Sequence, residues 1–197
     1  MGIATHEVFN QSTPFVDVNL YTGNRALRDA LRFNHPDFDE ARFVALGAEL
    51  GSGEMQAHAR LANAYPPVLK NYDRFGHRID QVEFHPSYHA LMRAALAHRL
   101  HGTPWTGSRG SHVERAAGFL LFNGLEPSVM CPVSMTYAVT PALRANERLY
   151  AAWGPKVAAT EYDARFVPFT EKGAVTLGMG MTEKQGGSDV RANTSRA

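Results

Sequence analysis

The hydrophobic repeat of this chain changes once, and that change constrains the fold more than any other feature. Up to about Tyr162, apolar residues recur in steps of three and four; from Ala174 to Met181, small and larger apolar residues alternate. The first spacing gathers side chains on one face of a helix, and the second gathers them on one face of a strand. The chain therefore reads as a helical domain over residues 1–162, followed over 163–197 by the start of a β domain.

Within the first part, residues 1–24 are rich in turn formers, include Pro14, and read as irregular, extended chain. From Arg25 to about Ser52 the pattern is helical, with Asp37 as a cap and Phe43, Leu46, Gly47 and Leu50 along one side. Helix formers continue to the break at Pro66 and Pro67. The polar run from Asn71 to Ser87 reads as a long loop turning at Gly76, with Phe75, Ile79, Val82 and Phe84 offering short strand-like contacts. The clearest helix starts near Pro86. It carries Tyr88, Leu91, Met92, Ala95, Leu96, Arg99 and Leu100, and Gly102 with Pro104 should end it.

A second clear helix opens near Ser111, with Glu114 completing a capping box and Val113, Ala116, Ala117, Leu120, Leu121 and Leu125 as its buried stripe. A third, "CPVSMTYAVTPAL", is apolar almost all round and is expected at the centre of the bundle. A shorter helix from about Glu147 to Trp153 should stop at Gly154 and Pro155.

Charge excludes one broad class of partner. Lysine and arginine total 20 against 19 acidic residues, a formal charge of +1, so there is no general electrostatic attraction to nucleic acid or anionic membrane. Cys131 is the single cysteine; it cannot form an internal disulfide, and the simplest reading is a small buried residue in a reducing compartment. No stretch is long and apolar enough to span a bilayer. The N-terminus lacks the form of a signal peptide, and after Met1-Gly2 a histidine, His6, stands where a myristoylation motif wants serine or threonine. The expectation is a cytoplasmic protein.

The chemistry concentrates in "TEKQGGSD", Thr182 to Asp189. Paired glycines let a ligand approach the backbone, successive amides in such a turn form an anion-binding concavity, and Thr182 and Ser188 add hydroxyls. A phosphate next to a polar heterocycle would suit these groups. An ordinary β-hairpin turn before a solvated strand fits the same residues. The segment matches neither the P-loop nor the dinucleotide glycine pattern.

Elsewhere the signals are weak. Glu147, Glu161 and Glu183 read as solvated carboxylates rather than bases. His85 and His89 are four apart, but no carboxylate or cysteine completes a zinc set; His98 and His101 share that weakness. Ser134 and Cys131 have no readable partner for nucleophilic catalysis.

"MTEKQGGSDV" resembles the Thr-Glu-x-x-x-Gly-Ser-Asp signature of the acyl-CoA dehydrogenase flavoenzymes. With the following "NTSRA", and with "THEVFNQ", "RLANAYPPVL", "FHPSYHALM" and "CPVSMTYAVTPAL", it resembles the AidB-like branch, linked to the adaptive response to DNA alkylation. The resemblance runs over nearly the whole chain. It implies a mainly α fold: the acyl-CoA dehydrogenase N-terminal helical domain plus the first strands of the middle β-barrel domain. It implies FAD as cofactor, with Met181 and Thr182 at the pyrimidine end of the flavin and Gly187 and Ser188 facing its pyrophosphate.

The activity implied is α,β-dehydrogenation of an acyl-CoA. The base for that reaction, the rest of the flavin site and the residues that complete a homotetramer are expected beyond residue 197, so no catalytic residue is assigned and the chain reads as an N-terminal portion. Two alternatives stand beside it. One is a DNA-protecting flavoprotein that binds DNA through a C-terminal region not present here; the other is a non-catalytic structural or assembly domain.

Overall fold

The computed structural model describes residues 5–107 and 110–196; the Met1-Gly2 start and the last residue of "NTSRA" lie outside the described residues. Among those residues the chain forms seven α-helices and one antiparallel hairpin, so the fold is mainly α as expected. No helix among them is long and apolar enough to cross a membrane.

Residues 5–24 are irregular, as the turn formers required, and they are tied to the helices that follow. Leu20 donates its N–H to the Gly47 carbonyl at 3.0 Å and Val18 donates to that of Gly51 at 3.3 Å. Both glycines are needed for this approach. A Cβ on Gly51 would stand 1.7 Å from the Val18 oxygen, and one on Gly47 would stand 2.5 Å from the Tyr21 nitrogen.

The helical run expected from Arg25 to Ser52 is two helices, α1 (Arg25–Asn34) and α2 (Glu40–Leu50). Pro36 causes the break, since the residue before a proline is driven out of helical geometry; His35 sits at φ −151°. The cap of α2 is Asp39 and not Asp37: its carboxylate accepts from the N–H groups of Ala41 and Arg42 at 3.1 and 3.4 Å. Phe43, Leu46, Gly47 and Leu50 are buried as their spacing predicts. Helix α3 (Gly53–Ala64) ends before the two prolines.

The expected loop over Asn71–Ser87 is instead largely a hairpin, β1 (Val68–Tyr72) and β2 (Arg78–Glu83), turning at Gly76 with φ +85°. Almost every residue of both strands is exposed, so no in–out alternation marks them in the sequence. The Asp73 carboxylate holds the turn, accepting from the N–H groups of Phe75 and His77 at 2.8 and 2.9 Å.

Helix α4 (Pro86–Ala97) supplies the centre of the core. Leu91, Met92, Ala95 and Leu96 are fully buried, and the three larger side chains each contribute on the order of 1.5–3 kcal/mol. The helix stops before Gly102: Arg99 takes a left-handed conformation at φ +62°, and Leu100 donates back to the Ala95 carbonyl. Leu100 stays buried beyond the helix end, which is why the periodic stripe overran the boundary.

Helix α5 (Gly110–Leu125) buries Ala117, Gly118, Leu121 and Phe122, whereas Ala116 and Leu120 of the expected stripe are exposed. Glu114 is an ion-pair partner of Arg42 on α2 rather than part of a capping box. Arg42 also donates to the His98 carbonyl at 2.7 Å, so one side chain joins α2, α4 and α5.

Helix α6 (Met130–Arg144) is not buried all round. Met130, Val133, Thr136 and Thr140 face inward, while Cys131, Ala138 and Pro141 are exposed; Cys131 is therefore not the buried residue its type implied. The buried polar positions set the rotation. Glu126, 1% exposed, accepts from the N–H groups of Ser128 and Val129 and from the Asn63 amide. Burial alone would raise its pKa, but those hydrogen bonds, led by Val129, hold the carboxyl below its ordinary range.

Helix α7 (Glu147–Ala158) runs through Pro155 to Ala158. The proline forgoes one backbone hydrogen bond, but burial of Gly154 and Val157 keeps the last turn in place. The alternating segment Ala174–Met181 pairs with no strand among the described residues, so it is not a strand in this structure. Only Ala174 and Val175 in it are buried.

His101 gives the helical domain a measurable pH response. It is fully buried, with Nε2 at 2.9 Å from the Ala159 carbonyl oxygen and Nδ1 without a partner among the described residues. Burial depresses its pKa to about 4. A depressed histidine pKa leaves its stabilising contribution complete above the unfolded value of about 6.5 and removes it as pH falls toward the folded value. Urea unfolding between pH 7 and pH 4.5 should show stability falling by on the order of 2 kcal/mol from this residue, and His101→Gln should flatten that slope.

Candidate functional site

The segment that leads to the glycine loop is fastened to α6 and α7 by polar contacts more than by apolar ones. At its start the Tyr162 hydroxyl lies 3.0 Å from His89 Nδ1 on α4. Burial pushes Tyr162 up to about 12, and burial likewise lowers the pKa of His89. Asp163 then closes a turn. Its carboxylate accepts from Arg165 Nε and Nη2 at 2.9 and 2.7 Å and from the Gly173 N–H at 2.9 Å, which holds its pKa far below the ordinary carboxylate range.

Between those ends Phe169 stacks on Trp153 of α7, with centroids 3.9 Å apart. Lys156 of α7 donates to the Thr170 and Lys172 carbonyls, and its own carbonyl accepts from Val175. The last tie is to α6: Leu177 donates its N–H to Thr136 Oγ1 at 3.0 Å. Thr136 is fully buried, and its hydroxyl donates in turn to the Pro132 carbonyl at 2.8 Å.

Beyond Leu177 the chain leaves the bundle. Met179 and Met181 are exposed, and the loop that follows bends at Glu183–Gly186, where the Gly186 N–H reaches the Glu183 carbonyl at 3.1 Å. Met181 and Thr182 stand at the entry of the loop and Gly187 and Ser188 on its far side; the Thr182 methyl would be 3.0 Å from a Cβ on Gly187. Nothing lies within 4 Å of where a Cβ would stand on Gly186. The N–H groups of Gly187 and Ser188 have no hydrogen-bond partner among the described residues.

Glu183, read as a solvated carboxylate, is partly exposed to solvent and also accepts from the backbone of Thr194 and Ser195. Hydrogen bonds from Ser195 and then Thr194 hold its pKa down to about 2, so it is ionised and is not placed as a base. Asp189, which is exposed, caps the short turn that follows, accepting from the Arg191 N–H at 3.2 Å. With both local carboxylates engaged, the loop offers free N–H donors and hydroxyls beside exposed thioethers. That set suits a pyrophosphate and the face of a flat heterocycle.

The other candidates separate. His85 caps α4 and stacks on Tyr65, while His89 turns to Tyr162. No cluster of three metal-ligating residues occurs among the described residues. Ser134 accepts from Arg115 at 3.4 Å and meets no base. Thr136 and Lys156 were invisible as site residues in the sequence, because nothing in their local pattern marks a contact with a segment many residues away.

Residues 10–164 match the family described as the adaptive response protein AidB N-terminal domain. The chain belongs to that family. It is 40% identical over 196 residues to the putative acyl-CoA dehydrogenase AidB of Escherichia coli K12, covering 98% of this chain and 36% of that protein. It is 29% identical over 188 residues to acyl-CoA dehydrogenase family member 11 of Caenorhabditis elegans, covering 92% of this chain and 30% of that one. The chain thus spans about a third of the length of the curated relatives it matches.

Two solved structures share the AidB-type helical fold. The apo form of Bd2924 superposes with a TM-score of 0.74 at 26% identity, over 95% of this chain and 37% of that one. Caenorhabditis elegans ACDH-11 in complex with C11-CoA superposes with a TM-score of 0.73 at 22% identity, over 99% and 33%.

The Thr136 joint can be tested alone. Thr136→Val keeps shape but leaves the Leu177 N–H without its acceptor, at a cost of about 1–3 kcal/mol. Hydrogen exchange should show the Leu177 amide opening at least roughly tenfold faster, with the amides of α4 unchanged.

Proposed function

We propose that this chain is the N-terminal part of an FAD-dependent, acyl-CoA dehydrogenase-like oxidoreductase of the AidB type. Residues 1–162 are the helical domain and residues 163–197 begin the middle β domain. The observation that carries this reading is the glycine loop. In a chain of the AidB family it presents the unpartnered N–H groups of Gly187 and Ser188, from a segment bolted to α6 and α7.

The residues present fit the cofactor. Gly187 and Ser188 would hold the pyrophosphate through backbone N–H groups and the Ser188 hydroxyl. Met181 and Thr182 would lie at the pyrimidine end of the ring, the methionine against its face and the threonine hydroxyl toward its polar edge. When bound, the flavin would supply hydride-accepting redox chemistry. The substrate class we propose is an acyl-CoA thioester; ACDH-11, which shares the fold, was solved with C11-CoA. No residue described here is assigned as the base. The single cysteine and the near-neutral charge fit a cytoplasmic protein whose residues 1–197 bind duplex DNA only weakly.

Gly187→Asp tests the placement. Gly187 does not adopt a positive φ, and a Cβ there meets only the Thr182 side chain at 3.0 Å or more, so the added carboxylate acts by charge more than by strain. In the intact protein made by its host, FAD affinity measured by fluorescence titration should fall at least about tenfold through like-charge repulsion. Circular dichroism should stay that of the parent. Unaltered affinity would remove Gly187 from the flavin site.

A further inference from the structure

The glycine loop has no core of its own. Residues 184–196 are all exposed, and the loop's one β-bridge, Glu183 to Gly186, lies within the turn itself rather than across the loop's base. What brings the two ends together is side-chain chemistry. The two Glu183 carboxylate oxygens lie 2.9 and 3.0 Å from the Thr194 nitrogen, and one of them lies 2.6 Å from the Ser195 nitrogen. The Thr194 hydroxyl and the Gln185 amide also donate to the same carboxylate. Alongside, the Asn193 amide donates to the Met181 carbonyl at 2.6 Å.

We propose that Glu183 is a positioning residue that holds the glycine loop in its ligand-ready shape. The proposal deepens the flavin reading and rests on it for the identity of the ligand. A carboxylate suits the task for a chemical reason. It is acceptor-only and offers about four lone-pair sites, so it can take several N–H donors at once without presenting a proton of its own. A glutamine of the same size has one acceptor oxygen, and its amide hydrogens would point at donors. A loop tied at its base before the ligand arrives keeps the Gly187 and Ser188 N–H groups on one side and loses less entropy on binding.

The test uses the intact protein with Glu183→Ala and Glu183→Gln. Hydrogen exchange of the Thr194 and Ser195 amides is read without flavin, and FAD affinity is read separately. Both variants should exchange at least roughly tenfold faster at those amides and bind FAD at least roughly tenfold more weakly, with the thermal transition of the helical bundle unmoved. Wild-type exchange in both variants overturns the proposal. Wild-type exchange and affinity in Glu183→Gln alone also overturn it, because size and not the carboxylate would then hold the loop. Faster exchange in a protein that binds no flavin at all supports the latch and rejects the flavin reading, so the two failures are distinguishable.

Discussion

The last tie between the helical bundle and the glycine loop is a buried polar joint, the hydroxyl of Thr136. It is fully inside the protein, it accepts from Leu177, and it donates to the Pro132 carbonyl of its own helix. A buried hydroxyl is costly when unpaired and specific when paired. Here the pairing selects one register for a segment that has little apolar surface to hold it. An apolar contact could have absorbed a shift of one residue; a hydrogen bond to one buried oxygen does not.

That joint is only as firm as the bundle behind it. Helix α4 fills the centre, and Arg42 gathers α2, α4 and α5 at one end through Glu114 and the His98 carbonyl. At the other end Glu126 starts α6 with its carboxylate under the backbone N–H groups of Ser128 and Val129. The two acids act alike: each faces inward, and each ties down a helix. The exposed face of α6, including Cys131 and Ala138, and exposed Leu120 on α5 are apolar or small surfaces that the described residues leave uncovered. Relatives about three times as long share this helical part, and the reading of the chain as the N-terminal part of a flavoenzyme gives those faces a natural use.

The site was legible in unequal parts. The residue types of one short stretch, two glycines with the hydroxyls of Thr182 and Ser188, suggested an anion cradle; the placing of Met181, Thr182, Gly187 and Ser188 against a flavin came from the family resemblance and stands as a proposal. Glu183 was visible as a carboxylate that is not a base, but its hydrogen bonds were not, because its partners Thr194 and Ser195 lie 11 and 12 residues on and offer backbone N–H groups, which nearly every residue has. Thr136 and Lys156 could not be found at all, for their partners are carbonyls and amides of distant chain.

The sequence by itself determined the helices. The stripe from Tyr88 to Leu100, the break at Pro66 and the cap chemistry before α2 are local, and local propensity with hydrophobic period is enough to specify them. Tertiary structure decided the rest. It carried α7 through Pro155, turned Cys131 outward and left Ala174–Met181 without a strand partner among the described residues. The physical reason is common to all three. Each outcome depends on what a residue packs against or pairs with across the fold, and a strand above all is defined by a neighbour that its own residues do not contain.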